Sequence, residues 1–88
     1  MTQEQRLQML KYDLRRPSFK DDELLYYLGY AASYLETQAV RDDKTAAYDG
    51  CLISFASFLI RQRDNPDMSI PPFINLEIKN LRTKQALK

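Results

Sequence analysis

A stretch of nineteen residues, 43–61 (DKTAAYDGCLISFASFLIR), is the longest apolar run in the chain and constrains its fold most strongly. As a helix it would be roughly 28 Å long, at about 1.5 Å per residue. Its apolar side chains cover a wide sector at helical spacing: Tyr48, Leu52, Phe55 and Leu59, flanked by Ile53, Ala56 and Ile60. So wide a sector predicts a central helix that is buried on several sides.

The remaining stripe of this helix is small or polar, and consists of Gly50, Ser54, Ser57 and Arg61. Small side chains allow another backbone to come close. We therefore expect neighbours on more than one side of the helix, and Gly50, Ser54 and Ser57 are candidates for a subunit interface.

Composition argues against an enzyme. A chain of 88 residues is the length of one domain. Its net charge of +1 argues against a protein whose whole surface binds nucleic acid. Histidine is absent and Cys51 is the single cysteine, so a disulfide framework and cysteine–histidine catalysis are excluded. We expect no catalytic residues, no metal site, no cofactor and no membrane span.

The rest of the chain predicts three further helices. Thr2 and Gln5 have the spacing of a capping box that opens a short helix to about Leu14. A second helix covers about 20–39, with Ser18 or Lys20 as its cap and acidic residues in its first turn.

A short polar link joins the second helix to the central one, so the two should be antiparallel neighbours. Asp42 or Asp43 can cap the central helix, which we place at about 43–62. Residues 73–81 fit either a strand or a helix. Because a lone strand would have no partner, we predict a helix led by Pro72.

The predicted fold is therefore an all-α bundle of about four helices, two long and antiparallel and two short. Residues 1–82 form one helical domain and residues 83–88 form a basic tail.

Four tyrosines of the second helix lie on a sector nearly opposite its leucine-rich core face: Tyr26, Tyr27, Tyr30 and Tyr34. Tyrosine is amphipathic and tolerates the surface, but it is also enriched at protein–protein contacts. Both interpretations remain open, and Tyr27, Tyr30 and Tyr34 are interface candidates.

One group of cations combines the end of the central helix with the C-terminal segment: Arg61, Arg63, Lys79, Arg82, Lys84 and Lys88. Solvated surface charge explains such a group, and so does contact with nucleic acid or another protein. Aromatic residues are not interleaved with these cations, so a stacking platform for single strands is not supported.

Several short motifs occur in a particular order: 10–15 (LKYDLR), 21–25 (DDELL), 31–36 (AASYLE), 58–63 (FLIRQR), 70–73 (IPPF) and 81–82 (LR). In this order and spacing the chain resembles the small head–tail connector proteins of tailed bacteriophages and prophages. The likeness extends over nearly the whole chain, although each motif alone is common in helices.

The resemblance implies a structural protein of the virion that is assembled in the bacterial cytoplasm. Such connectors form a ring under the portal protein, extend the DNA channel and present a docking surface to a tail or stopper protein. The implied partners are other copies of the chain, the portal, a tail or stopper protein, and non-specifically the packaged double-stranded DNA. The cationic group would contact the portal, a neighbouring subunit or the channel DNA.

Two other functions remain open. One is a small helical DNA-binding or regulatory protein that acts as a dimer. The other is a toxin–antitoxin or anti-repressor partner, which would form a one-to-one complex with another protein.

Overall fold

The computed structural model describes residues 2–15 and 19–87 and confirms the predicted all-α bundle. It contains four helices: α1 (Gln3–Leu14), α2 (Asp21–Thr37), α3 (Ala46–Asp64) and α4 (Pro72–Ala86). Residues 73–81 are helical, and no strand occurs in the two described ranges. The helices run alternately up and down, and α3 packs against each of the other three.

The predicted capping box opens α1. The backbone N–H of Gln5 donates to Thr2 Oγ1 at 3.2 Å, and that of Thr2 donates to Gln5 Oε1 at 2.8 Å. The helix ends at Leu14, because Arg15 takes a left-handed conformation with φ of 54°. Lys20 is the N-cap of α2. The other candidate cap, Ser18, lies outside the described residues, as do Arg16 and Pro17.

The predicted cap of α3 is wrong. Thr45 caps this helix, since its hydroxyl accepts a hydrogen bond from the backbone N–H of Tyr48 at 3.2 Å. Asp43 instead accepts from the backbone and hydroxyl of Thr45, at 3.1 and 2.6 Å. These bonds order a link that includes Lys44 in a left-handed conformation, with φ of 61°. The link is therefore longer than predicted, and α3 begins three residues later.

Helix α4 continues to Ala86, through most of the segment predicted as a basic tail. Its last turn is held by Gln85, which is buried against the link between α2 and α3. The side chain accepts from the backbone N–H of Arg41 at 2.9 Å and donates to the carbonyl of Arg41 at 2.7 Å. A glutamine in this position satisfies two backbone groups that the link cannot pair itself.

The core is centred on α3, which contributes ten buried residues. Helices α1 and α2 pack against one part of its circumference and α4 against another. The largest fully buried apolar side chains come from all four helices and the link: Phe55, Leu10, Leu24, Leu28, Leu35, Leu52, Ile60, Ile74 and Val40. The principal dimensions are 41 × 31 × 18 Å, so the molecule is a flat plate about two helices thick.

Candidate interaction surfaces

The outer side of α2 carries an exposed aromatic surface, which we call the tyrosine face: Tyr26, Gly29, Tyr30 and Ser33. Tyr26 is 66% exposed and Tyr30 is 53% exposed, and their ring centroids lie 6.5 Å apart. Gly29 lies on the same exposed side of the helix in open space, since a Cβ built there would meet nothing within 4 Å. This face has room for a backbone of another chain to come close.

Two of the predicted interface tyrosines are partly buried against the protein's own core. The ring of Tyr34 stacks on Phe55 of α3 with centroids 4.6 Å apart, and Tyr27 is half-buried against the same core. Helix α2 packs against both α1 and α3, which widens its buried sector until it includes these two rings. Of the predicted trio, Tyr30 is the one that is mostly exposed.

The small residues of α3 lie on the strip left open between α1 and α4. Gly50 is exposed, Ser54 is half-buried and Ser57 is buried. The hydroxyl of Ser57 has no hydrogen-bond partner within the described ranges. It lines a cavity of about 130 Å³ with Asp13 of α1 and Phe73 of α4, among others. A buried hydroxyl without a partner is unfavourable by about 1–3 kcal/mol.

The predicted cationic group is not one cluster. Because α4 is antiparallel to α3, Arg61 lies near the start of α4 and Lys84 lies at its far end, beside Ala47. Arg61 approaches Asp13 with a closest nitrogen–carboxylate distance of 3.8 Å, and Arg63 binds Glu23 at 3.0 Å. These two arginines therefore connect helices within the chain.

The cations of α4 are more available. Lys79 and Lys84 are exposed and form no ion pair with any described residue, whereas Arg82 donates to the carbonyl of Gln38 at 2.8 Å. The last predicted cation, Lys88, lies outside the described residues.

The outer side of α4 also exposes large apolar side chains that the sequence analysis did not single out: Phe73 at 55%, Leu76 at 58% and Leu87 at 83%. We call these residues, together with Lys79 and Lys84, the α4 outer face. Helical spacing could have predicted this exposure, because Leu76 lies on the side of α4 opposite its buried residues, which are Ile74, Ile78 and Leu81.

A buried ion pair, also missed from the sequence, ties α1 to the start of α3. The guanidinium of Arg6 binds Asp49 Oδ1 at 2.7 Å and Asp42 Oδ2 at 2.9 Å, and lies 5.5 Å from the ring centroid of Tyr48. Partial burial alone would raise the pKa of Asp42, but hydrogen bonds from Arg6 and from the backbone N–H of Lys44 lower it overall. The arrangement positions helices and offers no reacting group.

Two further groups with raised pKa values, Cys51 and Glu77, lie where α3 packs against α4. Burial raises the pKa of the Cys51 thiol to about 11, with a smaller contribution from the charge of Glu77. Burial also raises the pKa of Glu77, which lines an open groove of about 490 Å³ with Ala47 and Lys84. A thiol of this kind is almost entirely protonated at neutral pH and is a poor nucleophile.

Within residues 2–15 and 19–87, no group of three or more acidic or sulfur ligands is arranged to hold a metal ion, and no helix is long and apolar enough to cross a membrane. The chain matches no known protein family, no curated protein and no solved structure.

Proposed function

We propose that this protein is a structural head–tail connector of a tailed bacteriophage or prophage, which assembles as a ring under the portal and offers a docking surface to the tail. The observation that carries the proposal is the presence of two unpartnered helix faces on one small chain. The tyrosine face on α2 and the α4 outer face both expose large apolar side chains. They belong to helices that pack on different sides of α3.

A ring subunit needs two such faces. Every subunit contacts one neighbour on each side, so a head-to-tail ring uses two different surfaces of the same chain. The rest of the surface of such a subunit is then available to the portal and the tail. The order of sequence motifs supports the connector class within this general architecture.

The proposed contact with DNA is loose. Any cation of α4 that a neighbouring subunit leaves exposed would face a phosphate backbone that slides past. Contacts to phosphate alone carry no sequence information.

Particles produced by the phage or lysogen that encodes the chain provide the test. We expect mass spectrometry to find the protein in purified tailed particles. Deletion of the gene should yield DNA-filled heads without tails, or heads that lose their DNA, and a plasmid copy should restore tails. Infectious tailed particles that lack the protein would contradict the proposal.

A binding assay separates the connector from a regulator. The connector should show negligible affinity for duplex DNA at physiological salt. Sequence-preferring affinity that falls steeply as salt rises would instead indicate a regulatory DNA-binding protein.

A further inference from the structure

On α2 and α4, the exposed charges that form no ion pair with a described residue have opposite signs. Asp22 and Glu36 on α2 are exposed and form no ion pair with a described residue, and the same holds for Lys79 and Lys84 on α4. The charged side chains of α2 are all acidic, whereas α4 carries three cations and one carboxylate. The two helices therefore present opposite electrostatic potentials.

These charges flank the exposed apolar side chains of the same helices. At 100° per residue, Asp22 and Glu36 lie on the solvent side of α2 beside Tyr26, and Lys79 lies on the solvent side of α4 beside Leu76. The helices have 17 and 15 residues, so they are about 25 Å and about 22 Å long. Each face thus combines an apolar centre, a polar rim and matched length, which is the usual composition of a protein–protein contact.

We infer that the tyrosine face of one copy docks on the α4 outer face of the next copy, with the acidic rim of α2 against the cations of α4. An antiparallel arrangement brings Asp22 to the cationic end of α4 and Tyr30 to Leu76. Glu36 then lies just beyond the start of α4, roughly 13 Å along the axis from Lys79 at about 1.5 Å per residue, and attracts the cations at longer range. The inference rests on the proposed function in one respect, because it names the neighbour's surface within the proposed ring.

Symmetric contacts fit the charges poorly. Two copies that met through α2 would bring Asp22 and Glu36 against the same carboxylates, and two that met through α4 would bring lysines together. Like charges in direct opposition are destabilising. Helix α1 also exposes two large apolar side chains, Met9 and Tyr12. The charged residues around them are of both signs, so this face has no charge that a partner face could complement. A contact between unlike faces also propagates, so it leads to rings or filaments rather than dimers.

Charge reversal on each face tests the pairing. The acid-reversed variant carries Asp22→Lys and Glu36→Lys, and the base-reversed variant carries Lys79→Glu and Lys84→Glu. A control carries Glu4→Lys and Asp67→Lys at two exposed sites off both faces. It matches the change in net charge of the acid-reversed variant in size and sign, and that of the base-reversed variant in size. Sedimentation velocity over a range of protein concentrations measures self-association, and a thermal melt confirms that each variant folds.

The unaltered chain and the control should form species larger than a dimer at about 0.01 M salt, where the Debye length is about 30 Å. Association should weaken about tenfold at about 0.15 M salt, where the Debye length is about 8 Å. Each reversed variant alone should be at least about tenfold weaker than the control, because both of its faces then carry the same sign. An equimolar mixture of the two variants should associate again, because each then finds a face of opposite charge.

Three results would overturn the inference: an unaltered chain that stays monomeric at every concentration and salt, a base-reversed variant that associates normally, or a mixture that does not recover. None of them bears on the particle experiment above. A protein present in tailed particles but monomeric in all these conditions would reject this pairing and leave the proposed function in place.

Discussion

Replacing Arg6 with alanine should destabilise the fold more than any other single substitution at a charged surface position. Its side chain is 12% exposed and that of Asp49 is 3% exposed, so the pair is largely out of water. Removing one partner of a buried ion pair typically costs about 3–5 kcal/mol, because the other charge stays buried without that partner. An 88-residue domain has a total stability of about 4–13 kcal/mol. The variant should therefore melt about 16–27 °C lower, and near the lower limit of stability it should not fold.

Arg61→Ala is the matched control. Arg61 also bridges α3 and α1, but it is 50% exposed and lies 3.8 Å from Asp13. Exposed pairs contribute about 0–1 kcal/mol. Urea unfolding followed by circular dichroism measures both losses. Equal losses for the two variants, or a loss below about 1 kcal/mol for Arg6→Ala, would refute the assignment of Arg6 and Asp49 as a buried pair that secures α1.

Four further predictions concern α3 and the link. Ser57→Ala should raise the stability of the isolated chain by about 1 kcal/mol in urea unfolding, because it removes a buried hydroxyl without a partner; a loss would show that the hydroxyl is satisfied. Gly50→Ala should stabilise by up to about 1 kcal/mol in the same assay, since the helix gains a better former and the added Cβ meets nothing within 4 Å. Cys51, with its pKa raised to about 11, should not react with a thiol reagent at pH 8 until the protein unfolds; rapid labelling of the native chain would contradict its burial. The pKa of Asp42 is lowered in the fold, so its charged form contributes stability above about pH 4, and this contribution is lost as the pH falls below that value. The melting temperature should therefore drop below about pH 4. The substitution Asp42→Asn should reduce this drop.

The helices could be predicted from the sequence because each carries local signals. The capping box at Thr2, the acidic first turn of α2 and Pro72 at the start of α4 act through groups one to three residues away. The burial of the wide apolar sector of α3 can likewise be predicted without knowing which helix covers each side of it. These features depend on short-range geometry, which the sequence states directly.

The interaction surfaces were harder to predict because they depend on which helices become neighbours. Tyr34 and Tyr30 look alike on α2, but α3 covers the side that carries Tyr34 and leaves Tyr30 exposed. The pair Arg6–Asp49 joins residues 43 positions apart, and no local pattern indicates such a contact. The cations of α3 and α4 appeared to form one cluster because they are close in sequence, whereas the antiparallel packing of the two helices separates them.

The two glycines indicate that close approach matters on these surfaces. Gly29 and Gly50 both lie in the interior of exposed helix turns, where glycine costs about 1 kcal/mol relative to alanine. Neither is required by its own fold, since a Cβ at either site would lie in open space and both backbones have negative φ. For a chain of modest stability, this is a substantial loss without a benefit inside the monomer. Gly29 lies beside Tyr26 and Tyr30, on the face that we assign to a neighbouring copy. A bulky helix former such as leucine at Gly29 should therefore leave the melting temperature of the monomer unchanged or raise it by a few degrees, about 4–8 °C per kcal/mol gained, and still prevent self-association.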